Sequence, residues 1–190
     1  RFVKNESDEL THLVFKEASY INVIETLLTK DKSLKVIGLI RNPLATLASW
    51  ACVPKEFSPD WNIFEEWIDA PKKNLGKPEE YYGYRKWKLA AFDFLKYQER
   101  FPSQFKLVTY QALNQDTYRV VSEIFDFCEL DFCRTTTQFI DDTKNYHESD
   151  PYSVYRAKAN DHGWEAILPE YIVDRVKNDL KGTDLHSLLD

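Results

Sequence analysis

Residues 34–50 read LKVIGLIRNPLATLASW, and the change of pattern in the middle of this stretch decides how the chain is read. Leu34, Val36, Ile37, Leu39 and Ile40 form an apolar run too brief for a membrane span and suited to a strand covered on both faces. The grammar then switches. Asn42 is a favoured helix N-cap, Pro43 fits a first helical position with no amide to lose, and Leu44, Leu47, Ala48 and Ala51 recur at helical spacing. Arg41 therefore falls at the carboxyl end of a strand, beside a helix start. Unpaired amides and the positive end of the helix dipole favour an anion there, and a guanidinium can grip phosphate through two parallel hydrogen bonds. Ser49, eight positions after Arg41 and about two turns into the helix, adds a hydroxyl. On these residues alone two readings stand: a phosphate site, and an ordinary surface arginine at a helix start.

Outward from this stretch, the chain alternates between strand and helix signals. Leu13, Val14 and Phe15 predict a strand ending at Lys16, and residues 21–28 a helix. Residues 54–80, rich in proline, tryptophan and charge, read as an irregular insertion with short helical pieces near residues 63–68. Trp61, Phe64 and Trp67 in it need cover, from a substrate pocket or from plain packing against the core. Residues 84–100 give the clearest helix, with Trp87, Ala90, Ala91, Phe94 and Leu95 on one apolar stripe. A strand is expected over 105–110, a helix over 117–127 capped by Asp116, a polar loop over 141–150 and a last helix over 169–180. This order implies an α/β fold, a parallel sheet with helices on both faces.

The wording RNPLATLAS resembles the 3′-phosphate-binding segment of sulfotransferases that use 3′-phosphoadenosine-5′-phosphosulfate (PAPS), where an arginine and a serine at this separation hold the 3′-phosphate. Three other segments extend the likeness in order. HLVFKEASYINVIETLLTKDKSLKVI is similar to the family's strand ending in a lysine, followed by a helix and the arginine strand. WKLAAFDFLKYQERFPSQFKLVTYQALNQDTYRVVSEIFDFCELDF looks like its long helix, strand, turn and following helix. RAKANDHGW resembles the basic loop that closes over the 3′-phosphate, with Lys158 six residues before Trp164, although Ala157 and Ala159 stand where a basic residue and a glycine are usual.

The resemblance implies a P-loop-NTPase-like sulfotransferase fold in one domain over residues 1–190, with residues 54–80 helping to form the acceptor pocket. It implies that Arg41, Ser49, Tyr110, Arg156 and Lys158 bind the nucleotide, with Tyr110 near the adenine. Lys16 matches the lysine beside the transferring sulfuryl group, and the adjacent Glu17 is the candidate general base, although neighbours on a strand face opposite ways. Ala18 stands where cytosolic members carry a histidine, His12 is a weaker candidate, and a group on the insertion or in the expected missing portion is the other source of a base. The implied reaction moves a sulfuryl group from PAPS to a hydroxyl or amine of a small molecule or carbohydrate, without a metal. The alternatives are a nucleotide or metabolite kinase of related fold, and a non-catalytic nucleotide-binding or interaction protein.

The family's glycine-containing loop for the 5′-phosphosulfate is not found, because none of the five glycines lies in a glycine-lysine-serine/threonine context. The chain is accordingly expected to be amino-terminally incomplete. A formal charge of −6 argues against broad nucleic-acid binding, which needs a positive face. No apolar run approaches membrane length. Cys52, Cys128 and Cys133 form no metal-ligand pattern, and the odd number suggests no disulfide framework, so a reducing, cytoplasmic setting is expected.

Overall fold

The computed structural model describes residues 12–146, 148 and 163–189. At its centre, strand β1 (Val36–Ile40) runs parallel to strand β2 (Phe105–Thr109), with Val36 opposite Phe105 and Ile40 opposite Thr109. Two parallel strands need a long crossover, and here it carries helices α2 (Pro43–Ala51), α3 (Ile63–Glu66), α4 (Pro71–Asn74) and α5 (Tyr84–Arg100). After β2 come α6 (Tyr110–Gln115), α7 (Thr117–Phe127), α8 (Arg134–Asn145) and α9 (Glu170–Leu180), while α1 (Ile24–Lys30) precedes β1. Short 3₁₀ turns occupy Ile21–Val23, Gly163–Ala166 and Asp184–Leu189. The helices at 84–100 and 117–127 are those expected, and Asp116 caps the second by accepting the amide of Arg119.

Helices lie on both faces of the sheet at β2. On one, the rings of Phe94 from α5 and Phe105 lie 5.4 Å apart over Gly38, and Tyr97, Phe101 and Leu28 complete a small core. Side chains alternate along a strand, so Lys106 points the other way, where its ammonium pairs with Glu123 of α7 at 3.5 Å. The larger core joins α2, α5 and α9 through Leu44, Leu47, Ala91, Ile172 and Val176. Asp179 of α9 ties it further, accepting from the Tyr84 hydroxyl and the Lys88 ammonium of α5.

The structure corrects three expectations. Residues 13–16 are not a strand: Leu13, Val14 and Phe15 are 73%, 79% and 70% exposed, and the run joins neither strand of the two-stranded sheet. Nor is β1 covered on both faces, because Leu39 is 51% exposed beyond the reach of α7. Residues 141–145 belong to α8 rather than to a loop. That helix buries only Ile140 and is held to α7 by polar contacts, with the Tyr118 hydroxyl donating to Asp141 and Lys144 lying 4.2 Å from the Tyr118 ring centre. Such a helix leaves little hydrophobic periodicity to read.

The two sheet edges differ. In this ladder Val36 donates to the carbonyl of Gln104, so Val36, Gly38 and Ile40 turn their backbone toward β2, and Ile37 and Leu39 turn theirs away. On the outer side of β2 the amides of Phe105 and Leu107 are taken by the Phe101 carbonyl and the Gln98 side chain. The outer side of β1 has no such cover among the described residues. A methyl group at Gly38 would collide with Cζ of Phe105 and sit 3.1 Å from Phe94. Gly38→Ala should therefore destabilise the fold by about 1–3 kcal/mol through overpacking, as measured by urea unfolding; unchanged stability would mean that the Phe94 and Phe105 rings are not packed on this strand.

Candidate functional site

Both strands hand over to a helix at the same end of the sheet. At the end of β1 the Asn42 side chain accepts from the amides of Leu44 (2.8 Å) and Ala45 (3.2 Å) and starts α2. At the end of β2 the Thr109 hydroxyl accepts from the amide of Ala112 and starts α6, one residue earlier than the expected strand end at Tyr110. Because Ile40 pairs with Thr109, the next residues on each strand, Arg41 and Tyr110, come together. The Arg41 guanidinium lies over the Tyr110 ring, 4.7 Å from its centre. Two residues that the family resemblance implicates thus lie together at the carboxyl end of the sheet.

The other end of Arg41 is also held. The Trp87 indole of α5 donates to the Arg41 carbonyl at 3.1 Å, and Trp87 stacks on Tyr84, which stacks on Trp67. Trp87 was legible as part of the apolar stripe, and a buried indole N–H needs an acceptor. The identity of that acceptor required the fold.

The start of α2 offers an anion fewer amides than its sequence implies. Of the first α2 amides, Pro43 has none, Leu44 and Ala45 give theirs to Asn42, and Thr46 bonds the Asn42 carbonyl. Pro43, Leu44 and Ala45 are also buried, and the Asn42 amide donates to the carbonyl of Leu189. An anion at Arg41 would therefore meet the guanidinium, not the open amides that the sequence suggested. Along α2, Thr46 and Ser49 are half-buried and share a face by their spacing of three.

The remaining candidates are placed as follows. Lys16 and Glu17 are exposed. Glu17 turns its carboxylate back on its own chain, accepting from the amides of Ala18 and Ser19 at 2.8 Å each. Arg156 and Lys158 lie outside the described residues. Trp164, six residues after Lys158, is buried with α2 and α9 in the main core, under the Lys177 ammonium. No group of three or more His, Cys, Asp and Glu that could hold a metal occurs among the described residues.

Residues 54–80 pack against this assembly. Trp50 of α2 meets Phe57 edge-on, Phe57 meets Trp61, and the Trp50 indole donates to the Glu56 carbonyl. Glu56 also takes the Lys73 ammonium and the Tyr82 hydroxyl, and chiefly the Lys73 contact holds its carboxyl below the ordinary range. Buried Asn74 bonds the backbone of Asp69 and of Tyr82 on both sides. Trp67 is core, Trp61 is half-buried, and Phe64 is exposed.

A sequence model of the sulfotransferase domain matches residues 16–159, about three quarters of the chain. The chain belongs to the sulfotransferase family. No curated protein and no solved structure matches it. The matched span runs from Lys16 through Arg41, Ser49 and Tyr110 to Lys158, and the domain it describes transfers sulfuryl groups. No helix among the described residues is long and apolar enough to cross a membrane.

One reactive group lies apart from Arg41. Cys133 is the N-cap residue of α8, and hydrogen bonding from the Thr136 amide, with further help from the Thr136 hydroxyl and the Thr135 amide, lowers its thiol to about 7. Burial pushes the Cys128 thiol the other way. The thiolate is the nucleophile, so iodoacetamide should label Cys133 ahead of Cys128 at neutral pH, with the Cys133 rate falling as pH drops below about 7. Peptide mass spectrometry reads both, and faster labelling of Cys128 would contradict the hydrogen bonding described.

Proposed function

We propose that this sulfotransferase takes its sulfuryl group from PAPS and that Arg41, with Ser49, binds the 3′-phosphate of the nucleotide. The observation that carries the reading is the position of Arg41. It follows the last residue of β1 at the carboxyl edge of a parallel sheet, where open α/β sheets bind ligands. A guanidinium suits phosphate because its planar donors match two oxygens at once. Ser49 stands about 10 Å further along α2 by helix rise, half-buried, with a hydroxyl able to donate to the same group. The family match, which spans both residues, supports the same choice of donor.

Arg156 and Lys158 belong to this reading as further phosphate ligands, by their place ahead of Trp164, which packs with α2. Sulfuryl transfer needs the acceptor oxygen or nitrogen in line with the sulfur, a base for its proton, and positive charge near the departing phosphate oxygen. Lys16 is the proposed source of that charge, and Glu17 is the proposed base once it leaves its own amides. The acceptor, a small molecule or carbohydrate, would meet residues 54–80, the ordered aromatic insertion beside α2. All of these parts are read as one domain.

The test uses the full protein and two nucleotides. Arg41→Ala should weaken 3′-phosphoadenosine-5′-phosphate by roughly tenfold or more, the loss of a charged hydrogen-bond pair, while leaving adenosine-5′-phosphosulfate, which lacks the 3′-phosphate, nearly unchanged. Equal losses in calorimetry would remove Arg41 from the 3′-phosphate. Lys16→Ala should lower turnover more than nucleotide affinity. An unaltered rate would exclude Lys16 from the transfer step.

A further inference from the structure

Asn42 does more than a helix cap requires. Capping α2 needs only an acceptor, which Oδ1 of Asn42 supplies to the amides of Leu44 and Ala45, and a serine, threonine or aspartate would serve as well. Asparagine differs from these in carrying an amide donor on the same side chain. Here Nδ2 donates at 2.8 Å to the carbonyl of Leu189, 147 positions along the chain. The residue is 7% exposed and the orientation of its amide is set, because turning it over would place N–H against N–H and oxygen against oxygen.

The far end of this bond is itself anchored. The 3₁₀ turn Asp184–Leu189 follows α9 by way of Gly182, at φ 77°, buries Leu185 fully, and packs Leu188 and Leu189 against the main core. On the near side, the Trp87 indole of α5 holds the Arg41 carbonyl. The backbone at 41–42 is thus tied to α5 by one bond and to the turn after α9 by another. We infer that Asn42 is a positioning residue that couples the turn at 184–189 to the nucleotide site, so that the docked turn and a bound 3′-phosphate stabilise each other. This rests on the 3′-phosphate reading of Arg41 and Ser49 given above. The coupling runs through the backbone at 41–42 and through α2, whatever other partners the Arg41 guanidinium takes. A phosphate held from both Arg41 and Ser49 fixes the first turns of α2, and a fixed Asn42 keeps its donor aimed at Leu189. By linkage the effect is reciprocal, and a docked turn favours the phosphate by the same factor.

Amide hydrogen exchange on the full protein reads the coupling without any variant. Saturating 3′-phosphoadenosine-5′-phosphate should slow exchange in residues 184–189 by about fivefold or more, whereas adenosine-5′-phosphosulfate, which lacks the 3′-phosphate, should leave it unchanged. Asn42→Ser keeps an uncharged acceptor for the cap and loses the reach to Leu189. In that variant 3′-phosphoadenosine-5′-phosphate should still protect residues 43–47 but no longer residues 184–189, and should bind about fivefold more weakly. A residue that served the fold alone would shift exchange equally with and without nucleotide. An unprotected turn in the parent at saturation would overturn the inference, as would equal protection by both nucleotides or full protection in Asn42→Ser. If Arg41→Ala binds both nucleotides as the parent does, the 3′-phosphate reading is what fails, and the coupling fails with it. If Arg41→Ala weakens 3′-phosphoadenosine-5′-phosphate alone and the turn stays unprotected, only the coupling fails.

Discussion

Everything at the candidate site depends on the parallel register of two five-residue strands. With Ile40 set against Thr109, both strands end at one level, and a helix can be capped on each within two residues. A slip of one residue would reverse every side chain between faces, bury Lys106 and expose Phe105. The Gly38 gap filled by Phe105 acts against that slip, because only glycine leaves room for the ring. Thus a packing requirement deep in the sheet sets where a charged side chain emerges at its edge.

From that edge the stabilising contacts fan out through aromatic rings more than through ion pairs. Trp67, Tyr84 and Trp87 form a stack leading to the Arg41 backbone, and Trp50, Phe57 and Trp61 bind the insertion to α2. Ion pairs such as Lys72 with Glu65 and Arg119 with Glu123 are exposed and contribute little each. Aromatic rings suit an irregular segment because each covers a large area while fixing few torsions. That is how residues 54–80, with only two four-residue helices, pack closely beside the site.

What could be read in advance was what local chemistry dictates. Asn42 and Pro43 announced α2, Asp116 announced α7, and the stripe from Trp87 to Leu95 announced α5, because caps and periodicity act within a few residues. The candidate Arg41 followed from them. What could not be read needed a partner distant in the chain. Leu13, Val14 and Phe15 look like a strand in isolation, but a strand exists only against an edge, and among the described residues no strand pairs with them. Arg41 and Tyr110 are 69 positions apart, and no local pattern reveals that one covers the other. The capping that made α2 legible also misled, since the same Asn42 oxygen that marks the helix start uses up the amides credited with binding an anion.

The unequal edges of the sheet give the molecule a direction. Gln98 and Phe101 take the outward amides of Leu107 and Phe105 on β2, while Ile37 and Leu39 keep their backbone groups turned outward on β1. Among the described residues, hydrogen-bonding capacity for a further strand is left on the flank of β1. A strand added there in parallel would end level with Ile40, next to Arg41. Completing the sheet and walling the flank of Arg41 would then be the same event, so anything that blocks the edge of β1 would be felt at a side chain that it never touches.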